Sequence, residues 1–274
     1  GGYNSFFADK GWLFGILLAS AVALVIIGGI KSIANAASRI VPSMAGLYLL
    51  SALTILMLSI DKIDDALNLI IQSAFGLGSF TGGAIGALII GFQRSAFSNE
   101  AGMGTASIAH SAVETDEPIS EGLVSLLEPF IDTMIICTLT SLVIITTLYT
   151  NDPSLGNLEG IAITSAAFAF HIDWFPVVLG IAALLFAFST AIAWAYYGLK
   201  SWTYIFGESR GSELVFKMIF CLFVCLGCMI KLSAVLDFSD AMVFVIAVPN
   251  IIGLYLYAPE VKRDLKAYLA RHKI

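Results

Sequence analysis

Long apolar segments separated by short polar breaks constrain this chain more than any other feature of its sequence. Only 12% of its 274 residues are charged, whereas 58% are hydrophobic. A soluble domain carries about 25% charged residues, so this chain has too few to cover a surface that faces water. We therefore expect the lipid bilayer to be its solvent. Basic residues form no stripe outside the C-terminal tail, so no nucleic-acid partner is expected.

Seven of the apolar segments are long enough to cross a bilayer, because a membrane helix needs about 20 residues. They cover residues 12–29, 41–60, 66–92, 120–148, 174–199, 213–236 and 239–258. The sequence therefore predicts an all-α polytopic membrane protein with about seven transmembrane helices. The semi-apolar stretch 150–173 is too short to cross, and we expect it to form a short helix over the outer mouth.

The distribution of Lys and Arg gives the direction of the spans. If the first span runs inward, only Lys10, Lys62 and Lys231 lie outside. The inner side then holds Lys31, Arg39, Arg94, Lys200, Arg210, Lys217, Lys262, Arg263, Lys266, Arg271 and Lys273. Such an excess is typical of cytoplasmic loops. We expect an inner-membrane protein with a transmembrane domain at 1–258 and a basic cytoplasmic tail at 259–274.

The third segment, NLIIQSAFGLGSFTGGAIGALIIG, carries a cluster of glycines near its middle. Glycines four residues apart let membrane helices pack closely, which is one interpretation. In the other, the helix is unwound there, and its free backbone groups line a cavity that binds a zwitterion or a cation. The second interpretation predicts a substrate site formed by Gly76, Gly78, Ser79, Phe80, Thr81, Gly82 and Gly83.

Ser189 and Thr190 are adjacent hydroxyl residues inside the apolar fifth segment. A helical hydroxyl can bond back to a carbonyl of the preceding turn, so its burial alone does not indicate function. Together with the carbonyl of Phe186, however, the pair would offer hard oxygens that a small cation accepts in place of water. Cation binding and simple helix packing are both consistent with this pattern.

Ionisable residues around the fourth segment form a third candidate site, a gate or coupling site. Asp132 lies within that segment, where an ionisable group is rare and suggests function; a hydrogen bond that fixes helix packing is the alternative. Glu128, four residues earlier, shares its helix face. In the preceding polar stretch, Asn99 and Glu100 either cap a short helix or join Arg94 in an inner gate.

Cysteine and histidine usage indicates neither an enzyme nor a cofactor. Cys225 and Cys228 have a CxxC spacing, but they lie in an apolar run, so we expect small residues at a helix contact. The three histidines, His110, His171 and His272, are scattered over different loops, and no HExxH or GxSxG motif occurs. No metal is expected apart from a coupling sodium ion.

Three motifs in order resemble the alanine or glycine:cation symporter family: RSAFSNEAGMGTASIAHSA, GLVSLLEPFIDTMIICTLTSLVI and FAFSTAIAWAYYGLKSWTYIFG. The resemblance covers about residues 28–249. It implies sodium-coupled import of alanine or glycine and the leucine-transporter-like inverted-repeat fold. In that fold a broken span holds the substrate, here at Gly76 to Gly83. A later span holds sodium, here through Ser189, Thr190 and the Phe186 carbonyl.

The same resemblance implies that the seven spans correspond to the fourth through tenth of the family. The chain is then expected to be the C-terminal portion of a carrier, without about the first three spans. It would hold about half of each site and would not transport alone. Alternative functions are a proton-coupled small-solute carrier, in which Asp132 would carry the proton, and a channel or other passive pore.

Overall fold

A computed structural model of the chain describes residues 10–75, 83–149, 158, 160–230 and 232–273. Within these ranges all regular structure is helical, as the sequence predicts. The helices are α1 (Gly11–Ile27), α2 (Gly29–Leu58), α3 (Ile63–Phe75), α4 (Gly83–Asn99), α5 (Thr105–His110), α6 (Pro118–Tyr149), α7 (Ile161–Ala169), α8 (Phe175–Phe206), α9 (Arg210–Gly227) and α10 (Leu232–His272).

Four helices in the described part of the chain are long and apolar enough to cross a membrane. They are α2, α6, α8 and the portion Phe238–His272 of α10. The apolar helix α1 is shorter, at 17 residues. The predicted count of seven spans stays a prediction. The short helix expected within 150–173 is present as α7, which has 9 residues.

The gap between the predicted spans 12–29 and 41–60 lies within α2, and the gap between 213–236 and 239–258 lies within α10, so these two boundaries are wrong. The stretch Lys31–Arg39 belongs to α2, and Asp237–Asp240 belongs to α10. Charged residues do not end a helix, because their side chains leave the backbone hydrogen bonds intact. The chain turns instead where the backbone permits it, as at Gly29, whose φ of 70° suits a residue without a Cβ.

The tail expected from residue 259 is the end of α10, which continues to His272 with Pro249 and Pro259 inside it. The predicted division into domains at 258 and 259 stays a prediction. By its contacts the chain forms two compact units. The first comprises Gly1–Met44 and Ala183–Met242, and the second comprises Ala45–Ala182 and Val243–Ile274.

In the first unit, α1 packs against α9 and the residues that follow it at a distance that only glycine permits. A Cβ added at Gly11 would lie 2.8 Å from the carbonyl oxygen of Cys228, and one at Gly15 would lie 2.7 Å from that of Cys225. Such close approach of backbones is typical of membrane helix pairs. Both thiols are free, and the CxxC pair lies at a helix contact, as predicted.

In the second unit, two polar contacts connect helices that lie far apart in sequence. The hydroxyl of Tyr48 on α2 is hydrogen-bonded to Thr140 Oγ1 on α6, and its ring stacks on that of Phe168 on α7, with centroids 5.8 Å apart. At the end of α2, Ser59 Oγ lies 2.6 Å from His171 Nε2. These contacts hold α7 against α2.

Candidate functional site

Two of the three groups predicted to bind a cation lie close together on α8. Ser189 on α8 is buried, and its hydroxyl donates to the carbonyl of Phe186 at 3.0 Å and to Met44 Sδ at 3.6 Å. The side chain of Thr190 is exposed instead. Consecutive residues of an α-helix point about 100° apart, so adjacent hydroxyls have different surroundings. The structure brings Ser189 and the Phe186 carbonyl together and leaves Thr190 on another face.

Most of the predicted substrate site lies outside the described residues. This applies to Gly76, Gly78, Ser79, Phe80, Thr81 and Gly82. Gly83 is the first residue of α4, and α3 ends at Phe75.

The candidate gate residues Arg94, Asn99 and Glu100 lie in the last turns of α4 and just after it. The Arg94 guanidinium lies 5.3 Å from the centre of the Phe97 ring. Glu100 has a left-handed φ of 52°, which ends the helix. Neither Asn99 nor Glu100 caps α5, whose N-cap residue is Gly104, so that interpretation is wrong.

Asn99 instead connects two helices through both ends of its side chain. Its Oδ1 accepts a hydrogen bond from the backbone N–H of Ala101 at 3.0 Å, which stabilises the turn after α4. Its Nδ2 donates to Thr133 Oγ1 on α6 at 2.9 Å. Asn99 thereby fixes the end of α4 against α6.

Asp132 meets a hydroxyl that the sequence analysis did not single out. Ser98 Oγ donates to Asp132 Oδ2 and lies 3.0 Å from Thr133 Oγ1 and 3.3 Å from Cys137 Sγ. We call Ser98, Asp132, Thr133 and Cys137 the Ser98 cluster. The three residues on α6 belong to a π-helical stretch, Phe130–Cys137.

Glu128 and Asp132 share a helix, as predicted, but have different partners. His110 at the end of α5 lies between two carboxylates, with Nδ1 2.6 Å from Glu121 Oε1 and Nε2 3.6 Å from Glu128 Oε2. Glu128 is the more exposed of the two carboxylates, with 56% of its side chain accessible. We therefore assign Glu128 to the α5–α6 contact rather than to the site of Asp132.

Asn250 on α10 is a further residue that sequence reasoning missed. Its Nδ2 donates to the carbonyl of Gly102 at 2.8 Å, and a Cβ on Gly104 would lie 3.3 Å from its side chain. Gly102 and Gly104 have φ values of 83° and 100°, so both need the freedom of glycine. The sequence feature that could have predicted this contact is an amide side chain within an apolar span, which needs a polar partner such as the backbone of a glycine-rich turn.

Comparison with known proteins decides the family. The profile described as the sodium:alanine symporter family matches residues 2–274. The chain belongs to the sodium:alanine symporter family. The resemblance carried by the three motifs is confirmed at this level.

Three relatives of this symporter family illustrate the similarity. The chain is 38% identical over 255 residues to a sodium/alanine symporter of Methanococcus maripaludis, covering 93% of this chain and 56% of the relative. It is 32% identical to a probable sodium/glutamine symporter of Bacillus subtilis, covering 99% and 56%. An amino-acid carrier protein of the same organism is 34% identical, covering 94% and 55%.

The chain spans about half the length of the curated relatives it matches. Symporters are transporters rather than enzymes, and sodium is the coupling ion after which this family is named. Family membership and four long apolar helices together make the chain a multi-pass membrane protein. The expected absence of about three spans stays a prediction.

Proposed function

We propose that this chain forms part of a carrier that couples the entry of sodium to the uptake of a small neutral amino acid, alanine or glycine. The family match over residues 2–274 is the observation that carries the proposal. A sodium/alanine symporter among the relatives supports this substrate class.

The proposed architecture is the leucine-transporter-like inverted-repeat fold with about seven spans in this chain. In such carriers, half-helix ends at a break in a span bind substrate near the middle of the membrane. The glycine-rich stretch within the third apolar segment, NLIIQSAFGLGSFTGGAIGALIIG, supports this placement. The substrate contacts are then assigned to Gly76 through Gly83, whose backbone amides would meet the substrate carboxylate.

We assign the coupling sodium ion to Ser189, Thr190 and the carbonyl of Phe186. The 3.0 Å separation of Ser189 Oγ from that carbonyl supports the assignment, because it places two oxygens beside each other on a buried face. A cation bound by the hydroxyls of both Ser189 and Thr190 would lie between the two faces of α8 that carry these side chains. Replacing the hydroxyl–carbonyl hydrogen bond by two ion contacts requires only rotation of the Ser189 side chain.

Sodium and amino acid are coupled if both favour the same closed state, since each then shifts the population toward it. The sodium gradient drives uptake, and a membrane potential of about 100 mV adds about 2.3 kcal/mol for each charge that moves inward. We place the carrier in the cytoplasmic membrane with its C-terminus inside, because eleven of fourteen basic residues then lie on the inner side.

The function can be tested in a chimera, since the chain spans about half of its relatives. This chain replaces the matching segment of the Methanococcus maripaludis symporter, and the chimera is reconstituted in proteoliposomes. Alanine uptake should collapse when potassium replaces sodium. The Ser189→Ala, Thr190→Ala double variant should need more sodium for the same rate. Uptake at full rate without sodium would refute the proposal.

Proton coupling is the second candidate, and the half-buried carboxylate of Asp132 on α6 favours it. A carboxylate in a membrane segment can carry a proton across. In the same proteoliposomes, a pH gradient would then drive alanine uptake without sodium, and Asp132→Asn would abolish that uptake. Sodium-dependent uptake that a pH gradient does not replace excludes this candidate.

A further inference from the structure

No ion pair in the part of the chain that the structure describes includes the carboxylate of Asp132. The ion pairs found there involve His110, Lys217, Arg263, Arg271 and His272, and none of them includes Asp132. Its partner is the neutral hydroxyl of Ser98. A carboxylate that is buried or embedded in a membrane needs a nearby positive charge or a proton. A neutral hydroxyl does not supply that positive charge.

The atoms around this carboxylate are oxygens arranged on two helices. Ser98 Oγ on α4 lies 3.0 Å from Thr133 Oγ1 on α6, and both side chains lie beside the carboxylate of Asp132. Hard cations prefer carboxylate, hydroxyl and carbonyl oxygens. The cluster therefore offers the donor set that a sodium ion takes.

The existing hydrogen bonds leave lone pairs on these oxygens free to face a cation. Ser98 gives its proton to Asp132, so its oxygen keeps acceptor capacity. Thr133 Oγ1 accepts one N–H from Asn99, at 2.9 Å, which fixes the orientation of this hydroxyl. Asn99 acts here as a positioning residue, because its amide nitrogen is a donor and does not contact a cation favourably.

The backbone that carries Asp132 and Thr133 is also unusual. Both lie in the π-helical stretch Phe130–Cys137 of α6. Such stretches are rare and frequently lie at functional sites, because the wider turn changes which side chains meet a neighbouring helix. Here two consecutive residues of the stretch, Asp132 and Thr133, both meet Ser98.

We propose that Asp132, Ser98 and Thr133 bind a sodium ion, in addition to the ion assigned to Ser189. The inference rests on the proposed function, since it gives the same carrier a second sodium ion. That ion supplies a positive charge beside the carboxylate of Asp132. Its binding also joins α4 to α6, so occupancy favours the arrangement in which these two helices are in contact.

The test is equilibrium binding of radioactive sodium to the purified 274-residue chain, with ionic strength held constant by an organic cation. Asp132→Asn should weaken binding at this site about tenfold or more, because a contact to a charged group is removed. At a sodium concentration equal to the parent's dissociation constant, occupancy of this site should fall from about one half to about one tenth. Ser98→Ala removes one neutral oxygen and should weaken this site about fivefold.

Ser95→Ala is the matched control, since Ser95 lies on the same helix and donates only to the carbonyl of Phe92, at 3.0 Å. It should leave sodium binding unchanged. Equal numbers of ions and equal affinity in the parent and Asp132→Asn would overturn the inference, as would a parent that binds no sodium. Because Ser98→Ala keeps the carboxylate, loss of a ligand predicts a smaller effect than in Asp132→Asn, whereas misfolding would also abolish sodium binding at the Ser189 site.

Cys137 gives an independent readout, because its sulfur lies 3.3 Å from Ser98 Oγ. A thiol reagent that attaches an ammonium group there should displace the sodium ion, whereas one that attaches a neutral methylthio group should do so much less. Cys137→Ser should remove the difference between the reagents. Equal effects of the charged and neutral groups would contradict the proposed cation.

The failure of this inference and that of the proposed function are distinguishable. If Ser189→Ala lowers sodium binding and Asp132→Asn does not, the second ion is refuted and the proposed coupling ion remains. If the chimera takes up alanine without sodium, the proposed function is refuted whatever this chain binds.

Discussion

Replacement of Gly15 by Ala tests the close contact between α1 and α9 directly. The added Cβ would lie 2.7 Å from the carbonyl oxygen of Cys225, about 0.7 Å inside the 3.4 Å at which ordinary contact begins. The neighbour is backbone, so no side-chain rotation relieves the clash and the helices must separate. Overpacking of this kind costs about 1–3 kcal/mol.

The assay is unfolding of the purified chain in mixed detergent micelles, with Gly180→Ala as the control. Gly180 lies inside α8, and a Cβ there meets no atom within 4 Å, so this variant gains the helix propensity of Ala, up to about 1 kcal/mol, without a clash. Relative to this control, Gly15→Ala should be less stable by about 1–3 kcal/mol. Equal stability of the two variants would refute the packing of α1 against α9.

Three further predictions concern single side chains. Asn250→Ala removes the donor to the Gly102 carbonyl and should destabilise the chain by about 1 kcal/mol and speed proteolysis of the turn between α4 and α5. Glu117→Gln weakens the ion pair with Arg271, whose atoms lie 3.1 Å apart, and the contact with His272 Nε2 at 3.0 Å. The loss should be below about 1 kcal/mol, seen as earlier proteolytic trimming of the end of α10 with unchanged overall unfolding. Ser189→Ala should lower the affinity for sodium about fivefold in radioactive-sodium binding, because one neutral oxygen is lost.

The helical class follows from the sequence because the bilayer requires every backbone group to be satisfied within a segment. Helix ends are harder to predict. Lys31 and Asp237 lie between predicted spans, yet each lies within a helix, because a helix ends where its backbone hydrogen bonds end. The turn at Gly29 depends on a φ of 70° that hydropathy does not encode.

The candidate sites show the same division between local and tertiary information. The contact of Ser189 with the Phe186 carbonyl is predictable, since it joins residues three positions apart on one helix. The different exposure of Thr190 depends on how α8 packs. Asp132 is recognisable alone as an ionisable residue in a span, but its partner Ser98 lies 34 residues away, and only the packing of α4 on α6 reveals it.

The central claim is that sodium and a small neutral amino acid move together, and reciprocal flux tests it most directly. Coupling free energies are reciprocal, so an inward alanine gradient should drive radioactive sodium into proteoliposomes that contain the chimera, even without a sodium gradient. The account predicts sodium accumulation that requires alanine and falls in the Ser189→Ala, Thr190→Ala double variant. Alanine entry without any accompanying movement of sodium would contradict it.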